Sequence, residues 1–271
     1  MPYLEPTANG PTTEWARRTA TKLGCHVIVG YPELASAPAA SARQDSATEN
    51  DDVSGSGTIY NAAVVVSPSG EVLCNYRKHF LYEADERWGA SPGRDGFACL
   101  DLEFSQKTPD KQPESGLADR HTSLKVALGI CMDLNPKGFV APFEKFEFGN
   151  FAVAHNADMI VMPMAWLSAE KQDAHDEHRE DVPEYRTISY WARRLTPIVR
   201  QYLHADLSRR KRTPTIFIAA NRCGVEDGDT AYAGSTSAVS FAVDGSAQLV
   251  ASLNAREEGL LSTTVDYEPS P

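Results

Sequence analysis

The feature that most constrains the fold is a set of short, nearly continuous apolar runs. They are "TIYNAAVVV" from residue 58, "LKVALGIC" from residue 124, "DMIVMPMAW" from residue 158 and "TPTIFIAAN" from residue 213. A strand with one wet face alternates apolar and polar residues. These runs barely alternate, so both of their faces must be covered. Amphipathic helical segments lie between them: "PTTEWARRTATKLG" with Thr12 or Thr13 as N-cap and Gly24 as stop, "PFEKFEFGNFAVAHNA", and one long helix around "ISYWARRLTPIVRQYLHADL". Hairpins are expected around Ser-Pro-Ser-Gly at 67–70 and around Asp244-Gly245. The reading is an α/β or α+β sandwich in which helices cover sheets. The 271 residues suit one large domain. Polar stretches at about 34–57, 103–120 and 168–186 read as loop insertions, and "CHVIVGYPE" as a short strand ending in a loop at Glu33.

Composition excludes several classes. The formal net charge is −11, which argues against a general nucleic-acid or anionic-membrane binder. No run approaches the 18 or so consecutive apolar residues of a membrane span. The five cysteines are widely spaced, with no C-x-x-C pair. A disulfide framework or zinc site is not expected, and a reducing compartment, the cytoplasm, is. The N-terminus carries no secretory pattern.

The chemistry centres on Cys131. A cysteine closing an apolar strand is usually a packing residue. Here the strand runs through Gly129-Ile130 into Cys131 and turns at "MDLNP". Catalytic groups of α/β sheets gather at such strand ends. A thiol nucleophile needs a cation or base beside it. Lys78, in "NYRKHFLYEADERWG", is the candidate cation, against the plain alternative of a solvated surface lysine. Glu83, Asp85 and Glu86 follow it, either as a solvated acidic loop or with one of them positioning Lys78.

"YNAAVVVSPSGEVLCNYRKHFL", "ERWGASPG", "VALGICMDLNP", "ADMIVMPMAW", "IAANRCG" and "YAGSTSAVSFAVDGSAQLVASL" occur in one order over residues 60–253. In that order and spacing they resemble the nitrilase, or carbon–nitrogen hydrolase, superfamily. "PYLEPTANGPTTEWA", "CHVIVGYPE" and "YWARRLTP" are similar to its fungal branch of protein N-terminal asparagine amidohydrolases, which deamidate N-terminal Asn or Gln in the N-degron pathway. The resemblance implies an αββα sandwich and a Glu-Lys-Cys triad without metal or other cofactor. It implies Cys131 as nucleophile and Lys78 as oxyanion stabiliser. Glu86 matches a second glutamate that supports the lysine and orients substrate in many members, and the Met132 amide a second oxyanion donor. Asp133 is a candidate for holding the substrate's α-amino group, against turn capping, and Trp166 for lining the pocket, against core packing. The implied partners are protein or peptide N-termini bearing Asn or Gln.

The chain departs from the family pattern at the general base. In that pattern the base glutamate precedes the segment that begins this chain, so an N-terminally truncated domain with little turnover is expected. Glu33 is not assigned as the base, and Glu5 is a weaker substitute. Other branches (amidase, nitrilase, carbamoylase) and a non-catalytic binding protein that keeps the fold are the alternatives.

Overall fold

A computed structural model describes residues 3–36, 57–105, 121–168, 182–204, 213–228 and 230–265. Most of the three expected insertions lies outside the described residues. The chain forms two compact units, residues 1–96 and 97–271.

The first unit holds β1 (Glu5–Pro6), α1 (Pro11–Leu23), β2 (Val27–Ala35), β3 (Thr58–Val66), β4 (Val72–Arg77) and α2 (Glu83–Arg87). Its sheet runs β1-β2-β3-β4. β1 lies parallel to β2, and β3 is antiparallel to both β2 and β4. Ala16 and Ala20 of α1 pack on Tyr31, Ala62, Val64 and Val66. The small alanines let the helix lie close to the sheet.

Helix α1 ends as expected, with Gly24 left-handed at φ 63°. Its start differs. The N-cap is Gly10, not Thr12 or Thr13. The Glu5 carboxylate caps the helix from outside, accepting from the Thr12 amide at 2.9 Å and the Thr12 hydroxyl at 2.6 Å. A Cβ on Gly10 would run into Glu5 Oε2, so a side chain there would displace the cap.

The second unit holds β5 (Ala98–Ser105), β6 (His121–Leu128), α3 (Glu147–Ala154), β7 (Met159–Met164), α4 (Tyr185–Arg194), α5 (Thr196–His204), β8 (Thr215–Asn221), β9 (Val225–Glu226), β10 (Thr230–Ala231), β11 (Ser237–Phe241) and β12 (Ala247–Ser252). Six strands form one sheet in the order β12-β11-β8-β7-β6-β5. Its centre, β6-β7-β8, is parallel, as the near-continuous apolar runs require. Trp191, Leu195 and Ile198 from the helices pack with Phe148, Ile160, Met162 and Phe217 as its core.

Four expectations are corrected. Leu34 and Ala35 belong to β2, so Glu33 is a strand residue and not a loop carboxylate. Residues 103–105 extend β5, and 185–186 begin α4. The long helix around 188–207 is two helices that break at Leu195. Pro197 lacks the amide that a continuous helix would use, and it sits in the first turn of α5 where none is needed. The helix expected over "PFEKFEFGNFAVAHNA" is a 3₁₀ turn at Phe143–Lys145 followed by α3, with left-handed Phe146 (φ 45°) between them. The hairpin at 244–245 is present, with Gly245 at φ 83°.

Candidate active site

Cys131 follows β6 in the second unit. Gly129 and Ile130 lead from the strand to the turn, and a side chain at Gly129 would press on the core: an added Cβ would lie 2.7 Å from Met162 Cε and 2.8 Å from Phe148 Cε2. Ile130 is extended. Cys131 then turns left-handed, φ 44°, and opens the 3₁₀ turn Cys131–Leu134. For a residue with a Cβ this conformation costs roughly 1–2 kcal/mol. Such strain gathers at functional positions, where the fold over-determines it. The thiol is half-buried against the core of the unit.

The turn is fixed by its own residues. Asp133 is fully buried, and its Oδ2 accepts the Ile130 amide at 2.8 Å, so it caps the turn. Met132 is buried, and its Sδ accepts from Asn135 Nδ2 at 3.3 Å. The Met132 amide lies in the first turn of the segment, where an amide has no carbonyl of its own segment to meet. Tyr190 on α4 donates to Asn135 Oδ1 at 2.7 Å and lies against Trp166, ring centroids 5.7 Å apart. Burial pushes the Tyr190 phenol up. Trp166 follows β7, and its amide donates to Asn221 Oδ1 at 2.7 Å. β6 and β7 are parallel, so Cys131 and Trp166 stand at the same, carboxyl end of one sheet. Sites of open α/β sheets form at that end.

The sequence reading missed Arg194, hidden in "YWARRLTP". This buried guanidinium donates to the carbonyls of Leu134 (2.8 Å) and Phe143, and at 3.4 Å to Glu147. It ties α4 to the segment that follows the nucleophile candidate. Burial lowers its pKa, and its acceptors hold the cation in place. An arginine three residues after Trp191, on the same buried helix face, is the signal that could have raised it.

Lys78 follows β4 in the first unit. It is 3% exposed, which overturns the reading of a solvated lysine. Its Nζ donates to Asp85 Oδ2 at 2.6 Å. Asp85 is itself buried, takes the Tyr82 amide on the same oxygen at 2.9 Å, and accepts Asn61 Nδ2 on Oδ1 at 2.8 Å. The carboxylate that holds Lys78 is therefore Asp85. Glu86, singled out for that task from the resemblance, is exposed on α2. The clue was available: Asp85 stands three residues after Tyr82, the spacing at which a helix-start carboxylate reaches back to a main-chain amide.

Glu33 and Glu5 are both engaged elsewhere. Glu33 is 0% exposed and accepts from Arg77 Nη2 (2.6 Å) and Nε (2.9 Å), Thr7 Oγ1 (2.5 Å) and Asn75 Nδ2 (3.1 Å). Burial pushes its carboxyl up, but those donors together outweigh burial and hold it below the usual carboxylate range. Arg77 also lies over the Tyr60 ring at 4.0 Å. Glu33 thus locks β2 to the end of β4, next to Lys78, while Glu5 caps α1. Among the described residues, no group of three His, Cys, Asp or Glu is placed to hold a metal ion, and no helix is long and apolar enough to cross a membrane.

The carbon–nitrogen hydrolase family model matches residues 2–137. A Saccharomyces cerevisiae protein named protein N-terminal amidase is 36% identical over 180 residues, 65% of this chain and 35% of that protein. The Schizosaccharomyces pombe protein of the same name is 30% identical, over 96% of this chain and 78% of that one. The match thus spans about a third of the first relative's length and over three-quarters of the second's. A crystal structure of N-terminal amidase with an Asn-Glu-Ala peptide, and another with a Gln-Val peptide, each align at TM-score 0.70 and 24% identity over 94% of this chain and 81% of theirs. Those structures share the nitrilase-type fold expected from the sequence. The chain belongs to the carbon–nitrogen hydrolase family.

Proposed function

We propose that the protein is a thiol amidohydrolase that converts N-terminal Asn or Gln of proteins and peptides to Asp or Glu. Cys131 is the nucleophile. Its thiolate attacks the side-chain amide carbon, and the carbonyl oxygen becomes an oxyanion. The Lys78 ammonium and the Met132 amide stabilise that charge; such donors are worth roughly 3–4 kcal/mol each. The amide nitrogen takes a proton from solvent, and the tetrahedral adduct collapses to a thioester as the C–N bond breaks and ammonia leaves. Water then attacks the thioester, which frees the Asp or Glu product and the thiol. Asp133 caps the turn through the Ile130 amide, and we assign it, two residues after the nucleophile, to the substrate α-ammonium. Trp166 walls the same sheet end. The compartment is the reducing cytoplasm. The relatives' names, and the Asn- and Gln-starting peptides with which the solved neighbours were crystallised, favour this substrate class.

The observation that carries the reading is the left-handed backbone of Cys131 at the carboxyl end of β6. There Cys131 opens the turn whose Met132 amide is the second oxyanion donor in this reading. With Glu33 in a closed network and Glu5 on a helix end, neither acts as general base.

Iodoacetamide labelling near neutral pH, read cysteine by cysteine by mass spectrometry, tests the nucleophile. Cys131 should react ahead of Cys25, Cys74, Cys99 and Cys223, and Lys78→Met should remove its lead. A Cys131 no faster than the others in the unsubstituted protein would overturn the assignment.

A further inference from the structure

Lys78 is held at three points, and one residue reaches two of them. The Lys78 amide donates to the Asn61 carbonyl at 2.8 Å, and its carbonyl accepts the Gly93 amide at 2.8 Å. Its Nζ meets Asp85 Oδ2, while Asn61 Nδ2 donates to Asp85 Oδ1 at 2.8 Å. A closed ring results: main chain to main chain at one end, then amide to carboxylate and carboxylate to ammonium at the other.

The torsion that turns an aspartate carboxylate is soft and broad. The Tyr82 amide holds Oδ2 at 2.9 Å, but one bond leaves the carboxylate free to tilt about it; the Asn61 bond to Oδ1 fixes the plane in which Oδ2 meets the ammonium. The lysine stem has several rotatable bonds of its own and fixes nothing. Asp85 is 4% exposed, so water is not at hand to replace the Asn61 donor. The position of Asn61 is set in turn by β3, where its neighbour Ala62 pairs with Arg77 on β4.

We infer that Asn61 is a positioning residue for Lys78: through Asp85 it fixes where the ammonium stands, without itself touching substrate. The inference rests on the proposed role of Lys78 only for its catalytic consequence. The positioning is tested separately.

The variant is Asn61→Leu, close in size but with no polar atom; Asn61→Ser takes its place if the leucine protein does not fold. In ¹⁵N-lysine NMR the Lys78 ammonium, assigned by its loss in Lys78→Met, should exchange its protons about tenfold faster in the variant, the loss of one hydrogen bond to a charged group. On an Asp85→Asn background the same substitution should add nothing. Unchanged exchange, or effects that add to those of Asp85→Asn, would overturn the positioning role. Labelling of Cys131 with iodoacetamide separates the two claims. Slowing by Lys78→Met but not by Asn61→Leu refutes Asn61 and leaves Lys78 standing. No slowing by Lys78→Met refutes the reading of Lys78, whatever the NMR shows of the ring.

Discussion

Replacing Arg77 with Met removes half of the donors around a carboxylate that has no access to water. Glu33 is 0% exposed and takes two bonds from Arg77, at 2.6 and 2.9 Å. Only the neutral donors Thr7 and Asn75 would remain. Removing one partner of a buried pair costs about 3–5 kcal/mol. The Arg77 side chain is 30% exposed, so solvent can reach the gap, and the low end of that range applies. Losing the guanidinium over Tyr60 adds roughly 0.5–1 kcal/mol. The expected loss is about 3–4 kcal/mol at pH 7. It should depend on pH with a definite sign. In the folded protein the Glu33 carboxyl is held below its ordinary 4.5. Its ionised form therefore stabilises the fold above that pH, and the stabilisation fades as pH falls through the folded value. In the variant, burial prevails and the penalty grows as pH rises. The cost should therefore be largest at pH 7 and shrink toward pH 4. Urea unfolding at both pH values measures it, with hydrogen exchange in β2 and β4 locating the change. A loss under about 1 kcal/mol, or one equal at both pH values, would refute the reasoning.

Two further outcomes are expected. Cys131→Gly should be more stable than Cys131→Ala by roughly 1 kcal/mol, because glycine takes φ 44° without a steric cost; thermal melting of the two proteins measures the difference, and an alanine variant as stable as the glycine one would remove the strain argument. Tyr31 is pushed up to about 12, first by burial, while its hydroxyl donates to Asn75 Oδ1 at 2.6 Å and accepts the Ala8 amide at 2.8 Å. The fold disfavours its ionised form, so stability should hold below pH 10 and fall as pH rises toward 12; Tyr31→Phe should lessen that fall in alkaline melting, with Tyr190, also pushed up, keeping part of it.

Much of the sheet was legible because parallel strands buried on both faces leave continuous apolar runs. That pattern placed β6, β7 and β8, and the turn chemistry at 244–245 placed the last hairpin. Less legible were bonds between residues far apart in sequence. Glu33 reads as a loop carboxylate because Pro32-Glu33 looks like a strand stop; its partners Thr7, Asn75 and Arg77 come from other elements. The capping role of Glu5 was hidden because the helix it caps begins six residues later. The choice between Asp85 and Glu86 turned on one helical residue: only Asp85 has the reach to meet both Lys78 and the Tyr82 amide. Cys131 itself was legible as a strand-end residue. Its left-handed backbone was not, because nothing local in "GICMD" demands it.

Ammonia release from an Asn-starting peptide, with the protein in excess and long incubation to allow for slow turnover, tests the central claim most directly. The unsubstituted protein should release ammonia and yield the Asp-starting peptide, and Cys131→Ala should yield neither. Equal release by both proteins, or none from the unsubstituted one, would contradict Cys131 as the nucleophile of an N-terminal amidase.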